Sequence, residues 1–319
     1  MLQVKDVLSG MLPSVQLTLE QFGFDYDRAA EEFLNRQGTE NLLPRCTALF
    51  IDKAQDMGPS TRRLLRPVVE QSDESDPNSR SADIFYDIAQ NVYDTKMPRW
   101  SEFGLDMRGR STIIRESFRA TRQITELAVN VLHRLSGDTG RHNQQELISL
   151  GLLKLPQRNG EDGFEATSSQ VEEPKSIDNS FDRRIDEMAS VAKHLRHLLE
   201  EDGISPTDFC VIDNHSAGRI LESQLAPKLA KFGVELSLQK NRSFERKANT
   251  LFATTPHSYK GNESEVVIIP CVDHYVAPEG KPVANGLYVA MTRARSLLAI
   301  HSISGGSDAS KRVTDTIAA

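Results

Sequence analysis

The sequence predicts an α/β protein built on parallel sheets, and three observations carry that prediction. The run Thr47-Ala48-Leu49-Phe50-Ile51 passes straight into the acidic stretch Asp52-Lys53-Ala54-Gln55-Asp56, as a buried strand does when it delivers polar groups at its carboxyl end. From Phe181 onward, short apolar runs alternate with helical periodicity, which is the pattern of repeated strand–helix units. Between these regions Ile124, Leu127, Ala128, Val131, Leu132 and Leu135 fall on one face of a helix expected over Arg122–Leu135.

Taken in order, residues 1–43 show helical periodicity through Val4, Val7, Leu8 and Met11, broken into short pieces by Gly10 and Pro13. After the Asp52 strand, Gly58-Pro59-Ser60 starts a helix expected over Ser60–Glu70, with Leu64, Leu65 and Val68 on one face. Gln71–Ser81 has no apolar residue and reads as a solvated loop. Strands are expected from Asp83 to Tyr93 and at Ser111–Ile114. Residues 136–146 and 156–180 are polar, so the domain boundary is placed there.

Beyond that boundary a helix is expected over Arg183–Glu200, a strand at Phe209–Ile212, a helix over Ala217–Phe232 and a strand at Val234–Leu238. Further strands are expected at Leu251–Thr254, Val266–Ile269 and Leu297–His301, with a helix over Leu287–Arg295 and a frayed end from Gly305. The organisation this implies is a partial first domain over 1–140, a linker over 141–180, a second domain over 181–305 and a tail over 306–319.

With 319 residues the chain is long enough for two domains with separate cores. Hydrophobic content of 38% and charged content of 26% are those of a globular protein, and no run of about 18 apolar residues suggests a membrane span. No export signal is recognisable, and Cys46, Cys210 and Cys271 are far apart beside apolar runs, so the cytoplasm is the expected compartment. The formal net charge of −7 gives no basic footprint for nucleic acid, so any such binding must use local patches.

Five boxes carry the chemistry. Ile51-Asp52-Lys53-Ala54-Gln55-Asp56 resembles the VDEAQD box of superfamily 1 helicases related to UvrD, PcrA and Rep, with Lys53 where the family has Glu. Asp87-Ile88-Ala89-Gln90-Asn91-Val92-Tyr93 is similar to their GDxxQxIY box, and Arg115–Ile124 to their NYRST-QI box. Thr255-Pro256-His257-Ser258-Tyr259-Lys260-Gly261-Asn262-Glu263 resembles TxHxxKGLE, and Leu287-Tyr288-Val289-Ala290-Met291-Thr292-Arg293-Ala294 is nearly identical to LYVAxTRA. The boxes arrive in family order across residues 48–132 and 181–302.

The resemblance implies RecA-like sheets, one incomplete and one complete, with ATP and Mg²⁺ as the family's cofactors and single-stranded DNA as partner. By the same match Asp52 would hold the metal, Gln90 and Arg119 would sense the γ-phosphate, and Glu263 would hold the ribose. Arg293 would stand as the arginine finger, a permanently charged planar donor suited to a transferring phosphoryl group. Gln90, Arg119 and Arg293 are thus the catalytic candidates, and Tyr93, Thr255 and His257 would face the nucleic acid. The family Glu replaced by Lys53 activates the attacking water, and a charged ammonium cannot accept a proton.

These residues contain no G-x-x-x-x-G-K-[ST] phosphate loop. The expectation is therefore a UvrD-like, DNA-translocase-related protein that does not hydrolyse ATP by itself. Two alternatives stand beside it. One is a silent binding or regulatory module acting through nucleic acid or a protein that supplies the missing phosphate-loop half. The other is one segment of a longer reading frame.

Overall fold

The computed structural model describes residues 4–36, 42–73, 76, 79–86, 120–149, 153–154, 165–166, 177–214, 217–239 and 244–318. The chain divides into two compact units, Met1–Thr112 and Ile113–Ala319.

In the first unit, α1 (Val4–Met11) leads through single turns to α2 (Tyr26–Leu34). Asp25 caps α2 by accepting from the backbone N–H groups of Asp27 and Arg28 at 3.0 and 3.1 Å. Strand β1 (Ala48–Ile51) is followed by α3 (Pro59–Leu65) and β2 (Ser81–Ile84), and the two strands pair in parallel with Ala48 opposite Ser81 and Ile51 opposite Ile84. Leu8, Leu12, Ala29, Ala30, Phe33 and Leu64 form the core among these helices. The Asp27 carboxylate accepts from Thr61 N–H at 2.8 Å, and a Cβ on Gly58 would lie 2.1 Å from it, so glycine lets α3 begin against α2.

Helix α3 is shorter than its apolar face suggests. The chain tightens into a single 3₁₀ turn over Arg66–Val68 because Pro67 has no N–H to continue the ladder. Strand β2 begins at Ser81, two residues ahead of the strand expected over Asp83–Tyr93, and shares only Asp83 and Ile84 with it; the part from Asp87, and the strand expected at Ser111–Ile114, lie outside the described residues.

The second unit begins with α4 (Arg122–Ser149), which continues past the expected end at Leu135. Gly137 and Gly140 each cost about 1 kcal/mol of helix propensity, but no proline stops the run. Strands β3 (Leu153–Lys154) and β4 (Glu165–Ala166) form a small antiparallel pair. Then follow β5 (Ile177–Phe181), α5 (Arg184–Glu200), β6 (Phe209–Ile212), α6 (Gly218–Ile220), α7 (Ala226–Leu229) and β7 (Glu235–Leu238). The chain stays helical from Gly218 to Phe232, as expected, but passes through a π turn over Leu221–Leu225 just before Pro227, whose missing N–H removes one rung of the ladder. Strand β8 (Thr250–Thr254), α8 (Pro256–Tyr259), β9 (Ser264–Ile269), α9 (Ala284–Met291), β10 (Ala294–Ile303) and α10 (Asp308–Ala318) complete the unit.

The sheet order is β5-β10-β9-β6-β8-β7, parallel throughout. Alternate residues point to opposite faces. Cys210, Ile212, Val267, Ile269, Leu298 and Ile300 pack with α4, α9 and α10, whereas Phe209, Val211, Val266, Ile268 and Ala299 pack under α5 and the α6–α7 segment. The buried stripe Ile124, Ala128, Val131 and Leu135 places α4 in this second core. The compact division therefore falls ahead of the polar stretch over 136–180.

The end expected to fray from Gly305 is instead helix α10. Val313 and Ile317, one turn apart, are buried on the sheet, and Arg312 Nη2 donates to Arg134 O at 3.0 Å. Among the described residues no helix is long and apolar enough to cross a membrane.

Candidate functional site

In the first unit Asp52 directly follows β1 and is exposed at the strand's carboxyl end. Lys53 adopts a left-handed backbone (φ 58°), unusual for a residue with a Cβ, and its ammonium lies 3.6 Å from Asp52 Oδ2. Side-chain exposures of 42% and 64% make this a solvated pair worth at most about 1 kcal/mol. Its consequence is electrostatic: the carboxylate expected to hold Mg²⁺ has a cation beside it. Among the described residues no cluster of three or more His, Cys, Asp or Glu side chains could hold a metal. These residues alone do not fit a resident Mg²⁺, which needs near-octahedral oxygen ligation that a nucleotide's phosphates and water would have to complete. Gln90, Tyr93 and Arg119 lie outside the described residues.

In the second unit the candidate residues fall on two edges of one sheet. Thr255 follows the last residue of β8, at the carboxyl edge. It caps α8 by accepting from Ser258 N–H at 3.3 Å, and its Oγ1 lies 3.2 Å from Ser258 Oγ. His257, in the first turn of α8, is exposed. Gly261 (φ 92°) then turns the chain to the amino end of β9.

Glu263 and Arg293 immediately precede β9 and β10, so they sit together at the amino edge, where Ala294 is in register with Ser264. Arg293 is only 1% exposed. Its Nε donates to Val289 O at 3.1 Å, Nη1 to Asn262 O at 3.4 Å and Nη2 to Thr292 Oγ1 at 3.2 Å. A guanidinium at the end of α9 is favoured by the helix dipole, and here it joins that helix end to the loop before β9. Glu263 is half-buried, with Oε1 4.0 Å from Arg295 Nε.

Beneath this edge, the buried Tyr259 hydroxyl donates to Glu263 O at 2.9 Å, lies 2.7 Å from Ser264 Oγ and accepts from Arg246 Nη2 at 3.0 Å. Burial pushes the phenol up to about 12, so it stays protonated and keeps donating. The sequence reading therefore identifies residues that the fold groups in pairs: Thr255 with His257 at one edge, Glu263 with Arg293 at the other.

The carboxyl edge also holds a buried ionic network that sequence reasoning missed. Arg184, at the start of α5, donates from Nη1 to Glu187 and to Asp273 Oδ1 at 3.1 Å, and from Nη2 to Asp273 Oδ2 at 2.5 Å and His274 Nε2 at 3.1 Å. Acceptance at Nε2 requires the His274 tautomer protonated on Nδ1. Glu187 also accepts from Cys271 N–H at 2.7 Å, and Asp273 from Ile303 N–H at 3.3 Å. The network thereby ties α5 to the carboxyl ends of β9 and β10.

Burial pushes the Glu187 carboxyl up, opposed by Cys271 N–H and Arg184. Burial also works against the Arg184 cation, but the Asp273 and Glu187 carboxylates more than offset it and raise its pKa. The only signals in the sequence were the three-residue spacing of Arg184 and Glu187 and the Asp273-His274 pair after a strand. Neither shows that groups 89 residues apart meet.

A wholly parallel sheet with helices on both faces and polar loops at its strand ends defines the second unit as an α/β unit. Residues 250–301, from β8 into β10, match the family of UvrD-like helicase C-terminal domains. The resemblance to UvrD-like helicase C-terminal domains thus covers residues 250–301 of the second unit.

Among solved structures, the C-terminal domain of a possible DNA helicase from Lactobacillus plantarum WCFS1 is similar at 18% identity and TM-score 0.39, covering 63% of this chain and 96% of that one. Arterivirus nonstructural protein 10 (helicase) is similar at 12% identity and TM-score 0.28, covering 44% of this chain and 33% of that one. Its complex with DNA is similar at 11% identity and TM-score 0.29, with coverages of 50% and 40%. The match thus spans well under two thirds of the arterivirus protein's length. No curated protein matches the chain.

Proposed function

We propose that this chain is a UvrD-like, helicase-related module that binds single-stranded DNA and responds to ATP without hydrolysing it unaided. The observation that carries the reading is the family match over residues 250–301, a stretch that contains Thr255, His257, Glu263 and Arg293 at the edges of one sheet. On this reading Thr255 and His257, with Tyr93, meet the strand of nucleic acid. Glu263, Gln90, Arg119 and Arg293 meet the nucleotide, Arg293 after its side chain leaves the backbone carbonyls that now hold it. Hydrolysis fails for two reasons: the 319 residues contain no phosphate loop, and Lys53 cannot act as the base.

ATP and Mg²⁺ would be held only when the nucleotide's phosphates complete the ligand set around Asp52. The ion pair from Lys53 to Asp52 favours a second reading, a silent regulatory module acting through a protein partner or nucleic acid. The test is fluorescence anisotropy with a labelled single-stranded oligonucleotide across a salt series. The proposal expects affinity that falls as salt rises, and a several-fold loss on His257→Ala. Absent or salt-independent binding would reject the DNA reading in favour of the partner-protein one.

A further inference from the structure

His301 lies in β10, opposite Asn179 of β5, and is completely buried; neither Nδ1 nor Nε2 has a hydrogen-bond partner among the described residues. A neutral imidazole always presents one donor and one acceptor, so both are left unsatisfied. Its ring stacks on Phe181, with centroids 6.2 Å apart and planes 12° apart. From α5, the His194 ring stands over it at 6.1 Å and 53°, with a buried Nδ1 that also has no partner among the described residues. Three orphaned ring nitrogens therefore share the seam between α5 and the sheet.

The charges around that seam offer no acceptor for an added proton. The residues facing His301 from β5 are the uncharged Asn179 and Phe181, and the titratable group whose field reaches it is His194 on α5. His194 in turn feels His197, a further base, and Asp202 beyond the end of α5. Towards the start of α5, Glu187 and Asp273 are held by Arg184, and the Cys271 thiol is kept neutral by burial.

We propose that the His301–His194 pair is a proton-operated latch, keeping α5 seated on the sheet at neutral pH and loosening its hold as the pH falls towards 5. A proton on the His301 ring places an unpaired charge in a buried seam beside a second imidazole, and lifting α5 is the movement that returns that charge to water. The inference stands on the second unit's packing and does not depend on whether the chain binds DNA.

Burial, reinforced by His194, pushes His301 down to about 4 from an ordinary 6.5. The unfolded chain therefore takes the proton before the folded one does. Stability is intact above pH 6.5 and declines as the pH falls from there towards 4. Integrated between pH 7 and pH 5, this single group raises the unfolding equilibrium constant about 20-fold.

The test is urea unfolding of the full chain at pH 7 and pH 5, combined with amide hydrogen exchange of α5 at both. The expected result is a rise of that order in the parent chain, faster exchange in α5, and loss of the increment in His301→Leu. His194→Gln should retain part of it. Equal pH dependence in parent and His301→Leu, or unchanged exchange in α5, would overturn the proposal. Should His301→Leu fail to fold, the imidazole resonance of His301 in the parent chain decides: it should stay neutral down to pH 5, and titration near pH 6.5 in the folded chain would overturn the latch.

Discussion

Arg184→Met removes the cation that organises the carboxyl edge of the second unit while keeping a long, helix-compatible side chain. Two carboxylates are left behind, Glu187 with a fully buried side chain and Asp273 with one only 6% exposed. Each retains a single backbone donor, Cys271 N–H and Ile303 N–H. Removing one partner of such a buried ionic group costs about 3–5 kcal/mol, against a typical domain stability of about 5–15 kcal/mol. The variant should therefore fold but with a large loss, measurable as a shift in the urea midpoint at unchanged slope.

The sign of the pH dependence follows from Glu187, which burial already pushes up in the parent chain. Without Arg184 nearby it rises further. The folded variant then takes up a proton more readily than the unfolded chain, so its deficit is greatest at neutral pH and shrinks as the pH is lowered towards 5.5. Comparing parent and variant at each pH cancels the contribution of His301. Adding Glu187→Gln to Arg184→Met should recover part of the loss at pH 7, because one orphaned charge is gone. A cost below about 1 kcal/mol at pH 7 would mean that the network is solvated, and the reasoning would be refuted.

Tyr259→Phe should cost about 1–3 kcal/mol by thermal or urea unfolding, because Ser264, Glu263 O and Arg246 lose a shared partner in a buried place; a change within about 0.3 kcal/mol would show that water replaces it. Ile317→Ala should cost about 2 kcal/mol if α10 is docked on the sheet, whereas a loosely attached end would give a change within about 0.5 kcal/mol.

The elements that were legible in the sequence are those whose pattern is set locally. The strands at Phe209–Ile212 and Val266–Ile269 are apolar without alternation, and both are buried on both faces of the sheet. The stripe from Ile124 to Leu135 did find a core, although its pairing with the sheet of the second unit is a long-range fact that periodicity cannot supply. Pro67 and Pro227 were visible, yet only the fold shows that the first ends α3 early and the second sits beside a π turn in a helix that otherwise runs on.

At the site, chain proximity made Thr255 and His257 readable as one group. The burial of Arg293 was not readable: an arginine after a helix can be solvated or can bond to its own backbone, and the sequence is the same in either case. The acidic groups on Arg184 come from α5 and from the loop after β9, and the His301–His194 pair from β10 and α5. Such meetings depend on strand order, which no local spacing encodes.

On the proposed function, this chain senses a nucleotide and a nucleic-acid strand without splitting the nucleotide. Steady-state release of labelled phosphate from ATP by the purified chain, with and without single-stranded DNA, tests it most directly. No release above the protein-free control is expected in either condition, and none from Lys53→Glu, because the 319 residues still contain no phosphate loop. DNA-stimulated turnover by the pure chain would contradict it.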